Sequence, residues 1–192
     1  MLWENISMEL LRKAYFFLLD ILQTLILAAA AFVVVYMFLF RPFEVKGESM
    51  YPNLFDKEYL ITNIISLRLW EPKLGDVVVF KAPNDPDKDF IKRVIGASGD
   101  RISIQDGKVY LNGKLLDETK YLNESVKTYG GSFLKEGQSL TVPQGYFFVL
   151  GDNRSYSSDS REWGFVPKKN IIGVSFFVYW PLNSLGIIKN PY

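Results

Sequence analysis

The sequence of 192 residues contains no histidine and no cysteine. A serine becomes a nucleophile only beside a general base. Without those two residue types, a Ser-His-Asp triad, a Cys-His pair and a zinc site built on either residue are excluded. Disulfide bonds are excluded too, so the chain gives no sign of its redox compartment. Any nucleophilic serine must therefore use a lysine or a carboxylate as its base.

An excess of charge of either sign is also missing. The chain has 22 Lys and Arg residues against 21 Asp and Glu residues, a net charge of +1. Such a balance offers no electrostatic basis for nucleic-acid binding. We expect neither a metal ion nor a cofactor. The hydrophobic content of 48% suffices for the core of one domain and an additional anchor.

One long apolar run stands near the start of the chain. From Ile21 to Phe40 it contains no charged residue. A helix of that length rises about 1.5 Å per residue and matches the hydrocarbon core of a bilayer, about 30 Å. We predict a single transmembrane helix over about 21–40, within an N-terminal segment 1–40, followed by a domain over 41–192. Residues 1–13 are compatible with a short interfacial helix or a ragged terminus.

A cleavable signal peptide is the alternative interpretation of this run. The small residues of Ala28–Ala31 resemble a cleavage site, but the apolar run continues through residues 32–40 and is longer than the core of a signal peptide. The anchor is therefore favoured. Two basic residues precede the span and two follow it, so the positive-inside rule does not orient the chain.

Beyond the span, short runs of Val, Ile, Phe and Tyr alternate with Gly, Pro, Asn and Asp, a pattern that predicts a mainly β domain. Asn112-Gly113 predicts a tight hairpin turn, because both residues tolerate positive φ. Pro83–Lys88 is a predicted polar loop, and Ser125–Gly145 is predicted to be rich in loops. The predicted strands are Tyr59–Ile65, Asp76–Lys81, Phe90–Ile95, Arg101–Ile104, Lys108–Leu111, Tyr146–Leu150 and Ile171–Trp180. The last run is too short to span a bilayer.

Ser49 is the candidate nucleophile. It lies in residues 47–52, Gly-Glu-Ser-Met-Tyr-Pro, only nine residues after Phe40. That distance along the chain reaches at most about 30 Å. Ser49 is therefore expected near the membrane surface, although the same residues also describe an ordinary turn.

Lys92 is the candidate base. Strand alternation places it on the same face as Phe90 and Val94, in an apolar neighbourhood. The ordinary pKa of lysine is about 10.4, and desolvation lowers that pKa toward neutrality. A solvated lysine at the edge of a sheet is the alternative interpretation.

A third polar cluster, Gly151–Arg161, follows the predicted strand Tyr146–Leu150 directly. Its acids and bases are predicted to form a charged network that holds the loop, and a serine hydroxyl within it could orient a lysine amine. The charged members are Asp152, Arg154, Asp159 and Arg161. A purely structural turn is the alternative.

Together these stretches resemble the type I signal peptidases, membrane-anchored serine-lysine endopeptidases that remove signal peptides from exported preproteins. The likeness extends from the anchor to about Gly173. It is carried by the apolar run and by residues 47–52, 75–80 (Gly-Asp-Val-Val-Val-Phe), 91–96 (Ile-Lys-Arg-Val-Ile-Gly), Gly99-Asp100, 151–161 and 163–167. The resemblance implies a catalytic domain of antiparallel β-sheets, and cleavage after an Ala-X-Ala-like site through an acyl-enzyme.

The resemblance also implies roles for individual residues. Ser49 would be the nucleophile and Lys92 the general base, with the hydroxyl of Ser157 holding the lysine amine. Asp159 and Arg161 would support the site. The apolar substrate pockets would be lined by Val45, Met50, Val79 and Ile91.

The oxyanion would be bound by the backbone N–H of Ser49 and a second donor. Some family members carry a hydroxyl residue two positions before the nucleophile, where this chain has Gly47, so the backbone N–H of Gly47 is a candidate for the second donor. The implied partners are signal peptides, the lipid bilayer and, by functional proximity, the secretion translocon. The implied location is the cell membrane, single-pass, with the catalytic domain on the extracytoplasmic side.

Two rival functions remain. Self-cleaving repressors of the DNA-damage response also use a serine and a lysine on a related fold, but they carry a DNA-binding domain where this chain has an apolar span. A membrane-anchored β domain that binds partners without catalysis is the other rival. That rival predicts that Ser49→Ala leaves function intact.

Overall fold

The computed structural model describes residues 2–65, 67, 70–83 and 85–192, and the side chains of residues 2–8, 37 and 38 lie outside that description. The chain divides into two compact units, Met1–Leu39 and Phe40–Tyr192. Each unit is described by itself below.

The first unit is a single helix, α1 (Leu2–Leu39). By length and composition, its stretch from Glu9 to Tyr36 is able to cross a membrane. The candidate span extends further toward the N-terminus than predicted, because residues 15–19 are as apolar as those after Ile21. The helix ends at Leu39, and Phe40, the last residue of the predicted span, belongs to a strand. Residues 2–13 form the first part of α1, so the ragged terminus was wrong.

The second unit is built from antiparallel strands, as predicted for a mainly β domain. In chain order the described residues contain β1 (Phe40–Glu44), β2 (Tyr59–Asn63), β3 (Val77–Ala82), β4 (Asp85–Gly96), β5 (Arg101–Gln105), β6 (Lys108–Leu111), β7 (Lys114–Leu115), β8 (Ser139–Thr141), β9 (Tyr146–Leu150), β10 (Val166–Pro167), β11 (Ile171–Trp180) and β12 (Gly186–Ile187). A short helix, α2 (Ser160–Trp163), and three 3₁₀ turns, Arg154–Tyr156, Lys168–Asn170 and Leu182–Ser184, complete these elements.

The strands form two sheets. The larger sheet has the order β1-β2-β11-β3-β4-β9-β10, with β12 paired to β11, and the smaller has the order β7-β6-β5-β8 within the described residues. The seven predicted strands are all present. The Asn112-Gly113 turn is confirmed: it joins β6 to β7, and both residues have positive φ, 54° and 79°.

The predicted loop Pro83–Lys88 was wrong from residue 85 onward. There β4 already pairs with β3, with Ala82 opposite Asp85 and Lys81 opposite Asp89. The Lys81 ammonium and the Asp89 carboxylate also form an ion pair of 2.9 Å. This end of the hairpin is exposed, so a strand here can consist of polar residues. Such a polar sequence is difficult to distinguish from that of a loop.

Apolar side chains cover both faces of β3. Val77 and Val79 belong to one apolar cluster, whereas Val78 and Phe80 pack on the opposite face. We call the first cluster the β1–β2 cluster; its buried members are Val45, Met50, Leu54, Leu60, Val77, Val79, Ile91 and Val178. A further cluster connects the smaller sheet to Phe148 and Leu150 of β9. Because β3 and β4 lie inside this packing, a charged residue on β4 can be withdrawn from water.

The buried ring of Phe148 offers a test of the junction between the sheets. Phe148 is fully buried and its centroid lies 6.2 Å from that of Phe165. We expect Phe148→Ala to lower the free energy of unfolding by about 3–5 kcal/mol, because it removes apolar contacts and leaves a cavity. Thermal unfolding of the full chain in detergent would measure the loss. The control is Tyr146→Ala on the same strand, where the side chain is 39% exposed. Equal shifts for both variants would contradict the assignment of Phe148 to the core.

Candidate active site

Ser49 lies in the connection between β1 and β2, which closes on itself through backbone hydrogen bonds. Val45 N–H donates to the Glu58 carbonyl over 2.7 Å, and Asn53 N–H donates to the Met50 carbonyl over 3.0 Å. The Met50 side chain is buried in the β1–β2 cluster. We call residues 47–53 the nucleophile turn. It is held against the core on the side next to β4.

Ser49 and Lys92 meet, although they are 43 residues apart in the sequence. Lys92 Nζ donates to Ser49 Oγ over 2.7 Å and to the Ile91 carbonyl over 3.0 Å. The amine lies 5.3 Å from the centroid of the Phe90 ring, so the predicted apolar neighbourhood of Lys92 is present. The residue is only 4% exposed. A lysine amine therefore lies within proton-transfer distance of a serine hydroxyl.

Burial changes the acidity of that lysine. Desolvation lowers the pKa of Lys92 to about 8, because the charged form loses its hydration inside the protein. The negative charges of Asp159 and Asp152 act in the opposite direction and raise that pKa. The balance leaves an appreciable neutral fraction near physiological pH, which a general base requires.

The loop after β9 is organised around Asp159, which is fully buried. Its carboxylate accepts from Arg161 Nε over 2.8 Å, from Arg161 Nη2 over 2.9 Å and from the Gly151 backbone N–H over 3.1 Å. Arg161 Nη2 also donates to the Arg154 carbonyl over 2.7 Å. Asp159 and Arg161 thus connect both ends of the loop, as the network prediction requires.

The other two charged residues of that loop have their ion-pair partners elsewhere. Asp152 accepts from Arg93 Nε over 2.9 Å and from Arg93 Nη2 over 2.7 Å, and both residues are buried. Arg154 pairs with Glu118, with Nη1 donating over 3.0 Å. The charged network therefore extends beyond the loop, because the loop packs against β4 and against the segment after β7.

The predicted contact between Ser157 and Lys92 is not formed. Within the described residues, Ser157 Oγ is buried without a hydrogen-bond partner. The lysine amine instead uses the Ser49 hydroxyl and the Ile91 carbonyl. The Ser157 side chain packs against the backbone of Gly151, beside the Ser49 carbonyl, and this packing explains its position.

One of the two predicted oxyanion donors, the backbone N–H of Gly47, already makes a hydrogen bond within the protein. Its N–H donates to Asp56 Oδ1 over 2.7 Å, so its candidacy as second donor was wrong. A φ of +84° at Gly47 turns the backbone toward Asp56, and glycine adopts that conformation readily. Within the described part of the chain, the Ser49 N–H donates no hydrogen bond, which leaves this group able to bind an oxyanion.

Asn153 holds the nucleophile turn, a role that the sequence analysis missed. Its backbone N–H donates to the Ser49 carbonyl over 3.0 Å, and its side-chain amide donates to the Glu48 carbonyl over 3.0 Å. The only signal in the sequence was a polar residue within Gly151–Arg161. No local pattern connects it to residues more than one hundred positions earlier.

An open cleft of about 900 Å³ leads to Ser49. It is lined by residues 42–50 and 87–92, with Tyr156 and Ser158. Three of the predicted pocket residues, Val45, Met50 and Ile91, line this cleft. Val79 does not: it lies on β3, an interior strand of the larger sheet, and its side chain is fully buried within the β1–β2 cluster. Among the described residues, no group of three or more acidic side chains is placed to hold a metal ion.

The chain is similar in sequence to known proteins of one family. The family model described as "Signal peptidase, peptidase S26" matches residues 18–180. Signal peptidase IB of Staphylococcus aureus is 36% identical over 186 residues, covering 90% of this chain and 96% of that protein. Probable signal peptidase I-2 of Synechocystis is 36% identical over 178 residues, covering 90% and 78%. The crystal structure of a signal peptidase I from Enterococcus faecalis is 32% identical, covering 55% of this chain and 97% of that chain, with a TM-score of 0.45.

Gly151 leaves no room for a side chain between the loop and the nucleophile turn. A Cβ at this position would lie 2.5 Å from both Ser157 Cβ and the Ser49 carbonyl oxygen. We expect Gly151→Ala to displace Ser49 and to lower the rate of peptide cleavage by about a hundredfold, the size of effect that a misplacement of about 1 Å can have. Gly186→Ala is the matched control, because the nearest atom to its new Cβ is 3.7 Å away. Steady-state cleavage by the two variants is the measurement, and equal rates would contradict the prediction.

Proposed function

We propose that Ser49 and Lys92 are the catalytic pair with which this serine endopeptidase cleaves signal peptides. The premise is that the chain belongs to the signal peptidase family, peptidase S26. One observation carries the proposal. Lys92 Nζ lies 2.7 Å from Ser49 Oγ, and the amine is buried with a pKa lowered to about 8. No histidine is available to act as the base.

In the first half-reaction, the neutral amine of Lys92 accepts the proton of the Ser49 hydroxyl. Ser49 Oγ attacks the scissile carbonyl carbon, and a tetrahedral intermediate forms. The Ser49 N–H stabilises the negative charge on the carbonyl oxygen. As the C–N bond breaks, the Lys92 ammonium returns its proton to the leaving amine, which becomes the new N-terminus of the mature protein. The signal peptide stays attached to Ser49 as an ester.

In the second half-reaction, neutral Lys92 takes a proton from a water molecule, and the resulting hydroxide attacks the ester carbonyl. The second tetrahedral intermediate releases the signal peptide with a free carboxylate, and Ser49 recovers its proton from Lys92. Because a lysine is the base at both stages, its environment must keep the neutral form accessible. The burial of Lys92 supports this role.

The proposed cleavage site follows an Ala-X-Ala-like sequence. Val45, Met50 and Ile91 line the cleft near Ser49, and each is at most 9% exposed. These side chains present apolar surface beside Ser49, which suits small apolar side chains in the substrate.

The proposed supporting residues act on the position and charge of Lys92. Asp159 raises the pKa of Lys92 and is held by Arg161. Ser157 packs beside the Ser49 carbonyl and the Gly151 backbone. Its hydroxyl has no partner in the described residues, so it retains the capacity to bond the amine during turnover.

The membrane arrangement is part of the proposal. Residues 1–40 would anchor the chain through α1, and residues 41–192 would form the catalytic domain on the extracytoplasmic side of the cell membrane. The lipid bilayer and the signal peptides of secreted preproteins are the proposed partners, with the secretion translocon nearby. The apolar stretch Glu9–Tyr36 supports the anchor, while the side and the translocon are proposed from the family resemblance.

The catalytic pair is tested by cleavage of a preprotein with an Ala-X-Ala site. We expect wild type to cut after the second alanine, and both Ser49→Ala and Lys92→Ala to lose cleavage, since each removes a group that takes part in every turnover. The measurement is product termini by mass spectrometry, with the chain in detergent. Unfolding curves must show that both variants remain folded.

Ser158→Ala is the control, since Ser158 lines the same cleft and takes no part in the proposed proton transfers. If folded Ser49→Ala cleaves like wild type, the proposed pair is wrong, and a binding domain without catalysis becomes the better reading of this chain.

The pH dependence follows from the acidity of Lys92. Only the neutral amine accepts the serine proton, so the cleavage rate should rise with pH through about 8. Asp159→Asn removes a negative charge that stabilises the ammonium, so the rising limb of the rate should move to lower pH. Profiles of kcat/KM against pH for both proteins measure the shift. A limb that moves to higher pH in Asp159→Asn would overturn this electrostatic account.

A further inference from the structure

We infer that Tyr121 is a positioning residue for the nucleophile turn, and that it acts through Arg93, Asp152 and Asn53. Tyr121 lies between β7 and β8, outside every stretch that carried the family resemblance. The inference rests on the proposed function, because positioning of Ser49 matters only if Ser49 is the nucleophile.

The ring, the backbone carbonyl and the hydroxyl of Tyr121 each make contacts. Its ring lies under the guanidinium of Arg93, with the Arg93 carbon Cζ 4.4 Å from the ring centroid. Its backbone carbonyl accepts from Asn53 Nδ2 over 2.9 Å. Its hydroxyl donates to Glu118 over 2.7 Å and accepts from Arg154 Nη2 over 3.2 Å. One residue thus contacts β4, the nucleophile turn and the loop after β9.

The first two contacts converge on the nucleophile turn. Asn53 Nδ2 also donates to Asp152 Oδ2 over 2.8 Å, and Asp152 accepts two hydrogen bonds from Arg93. Asn53 N–H is bonded to the Met50 carbonyl inside the turn. The residue after Asp152 donates its backbone N–H to the Ser49 carbonyl. A displacement of Arg93 or Asn53 would therefore shift the groups that bind the backbone carbonyls of Ser49 and Met50.

The aromatic ring is the part of Tyr121 that Arg93 requires. Arg93 is 3% exposed, so its guanidinium has given up its hydration, and Asp152 and the Gly75 carbonyl satisfy N–H groups at its edge. The faces of a guanidinium make no hydrogen bonds, and an aromatic face attracts them electrostatically. An aliphatic side chain at 121 would fill space without that attraction.

The test compares three variants of the full chain in detergent. We expect Tyr121→Leu to lower kcat for preprotein cleavage by about tenfold, the effect of losing a cation–π contact that is shielded from water. KM should stay unchanged, because Tyr121 does not line the cleft. Tyr121→Phe keeps the ring and the backbone carbonyl and should retain most of kcat.

Leu122→Ala is the control for a purely structural effect. Leu122 is the buried neighbour of Tyr121, and its truncation destabilises the same segment without a contact to Arg93. Rates are measured below the unfolding midpoint of every variant. If Leu122→Ala loses as much kcat as Tyr121→Leu, or if Tyr121→Phe loses as much as Tyr121→Leu, the inference is wrong.

A double-mutant cycle with Arg93→Lys tests the route. Lysine keeps the charge and loses the planar group, so Tyr121→Leu should lower kcat much less in the Arg93→Lys background than in wild type. Additive effects would overturn the route through Arg93. If Tyr121→Leu does not accumulate folded, Tyr121→Met takes its place.

The proposed function is tested separately. Folded Ser49→Ala that still cleaves would reject the catalytic pair, whereas inactive Ser49→Ala with unchanged kcat in Tyr121→Leu would reject only the role of Tyr121.

Discussion

The burial of one lysine amine against a serine hydroxyl is the constraint on which the rest of this structure depends. A charged ammonium loses most of its hydration when it enters a protein interior, and its pKa falls as a result. For Lys92 this loss of hydration lowers the pKa to about 8, so an appreciable fraction of the amine is neutral near physiological pH. The layered packing of β3 and β4 provides the dry environment, and the nucleophile turn brings Ser49 to it.

Two buried ion pairs lie close to this site, and their main effect is to position the loop after β9. Arg93–Asp152 and Arg161–Asp159 each combine a guanidinium with a carboxylate by two side-chain hydrogen bonds. Buried pairs of this kind add little net stability, because desolvation offsets their attraction. A loop conformation that separates the two partners would leave a buried charge uncompensated, so the pairs favour a single position of the loop. Their carboxylates also limit how far the pKa of Lys92 falls.

Local signals predicted the strands well, because alternation of side chains and turn residues act over a few positions. The Asn112-Gly113 hairpin was confirmed for that reason. The exposed end of the β3–β4 hairpin was misread as a loop, since a strand without a buried face lacks the apolar pattern. The prediction that the Gly47 N–H binds the oxyanion was wrong, because this N–H donates to the carboxylate of Asp56, nine residues later in the chain. Such a choice between competing acceptors depends on the conformation of the whole turn.

The sequence by itself determined which chemistry is available to this protein. A chain without histidine and cysteine leaves a serine only a lysine or a carboxylate as base, whatever the fold, and a long apolar run needs an apolar environment in any arrangement. Only the tertiary structure decided that the buried amine of Lys92 lies within hydrogen-bond distance of Ser49 Oγ, and that Asn153 and the Asn53–Asp152 contact lie beside the turn. These are contacts between distant parts of the chain, and they exist only once the strands have packed.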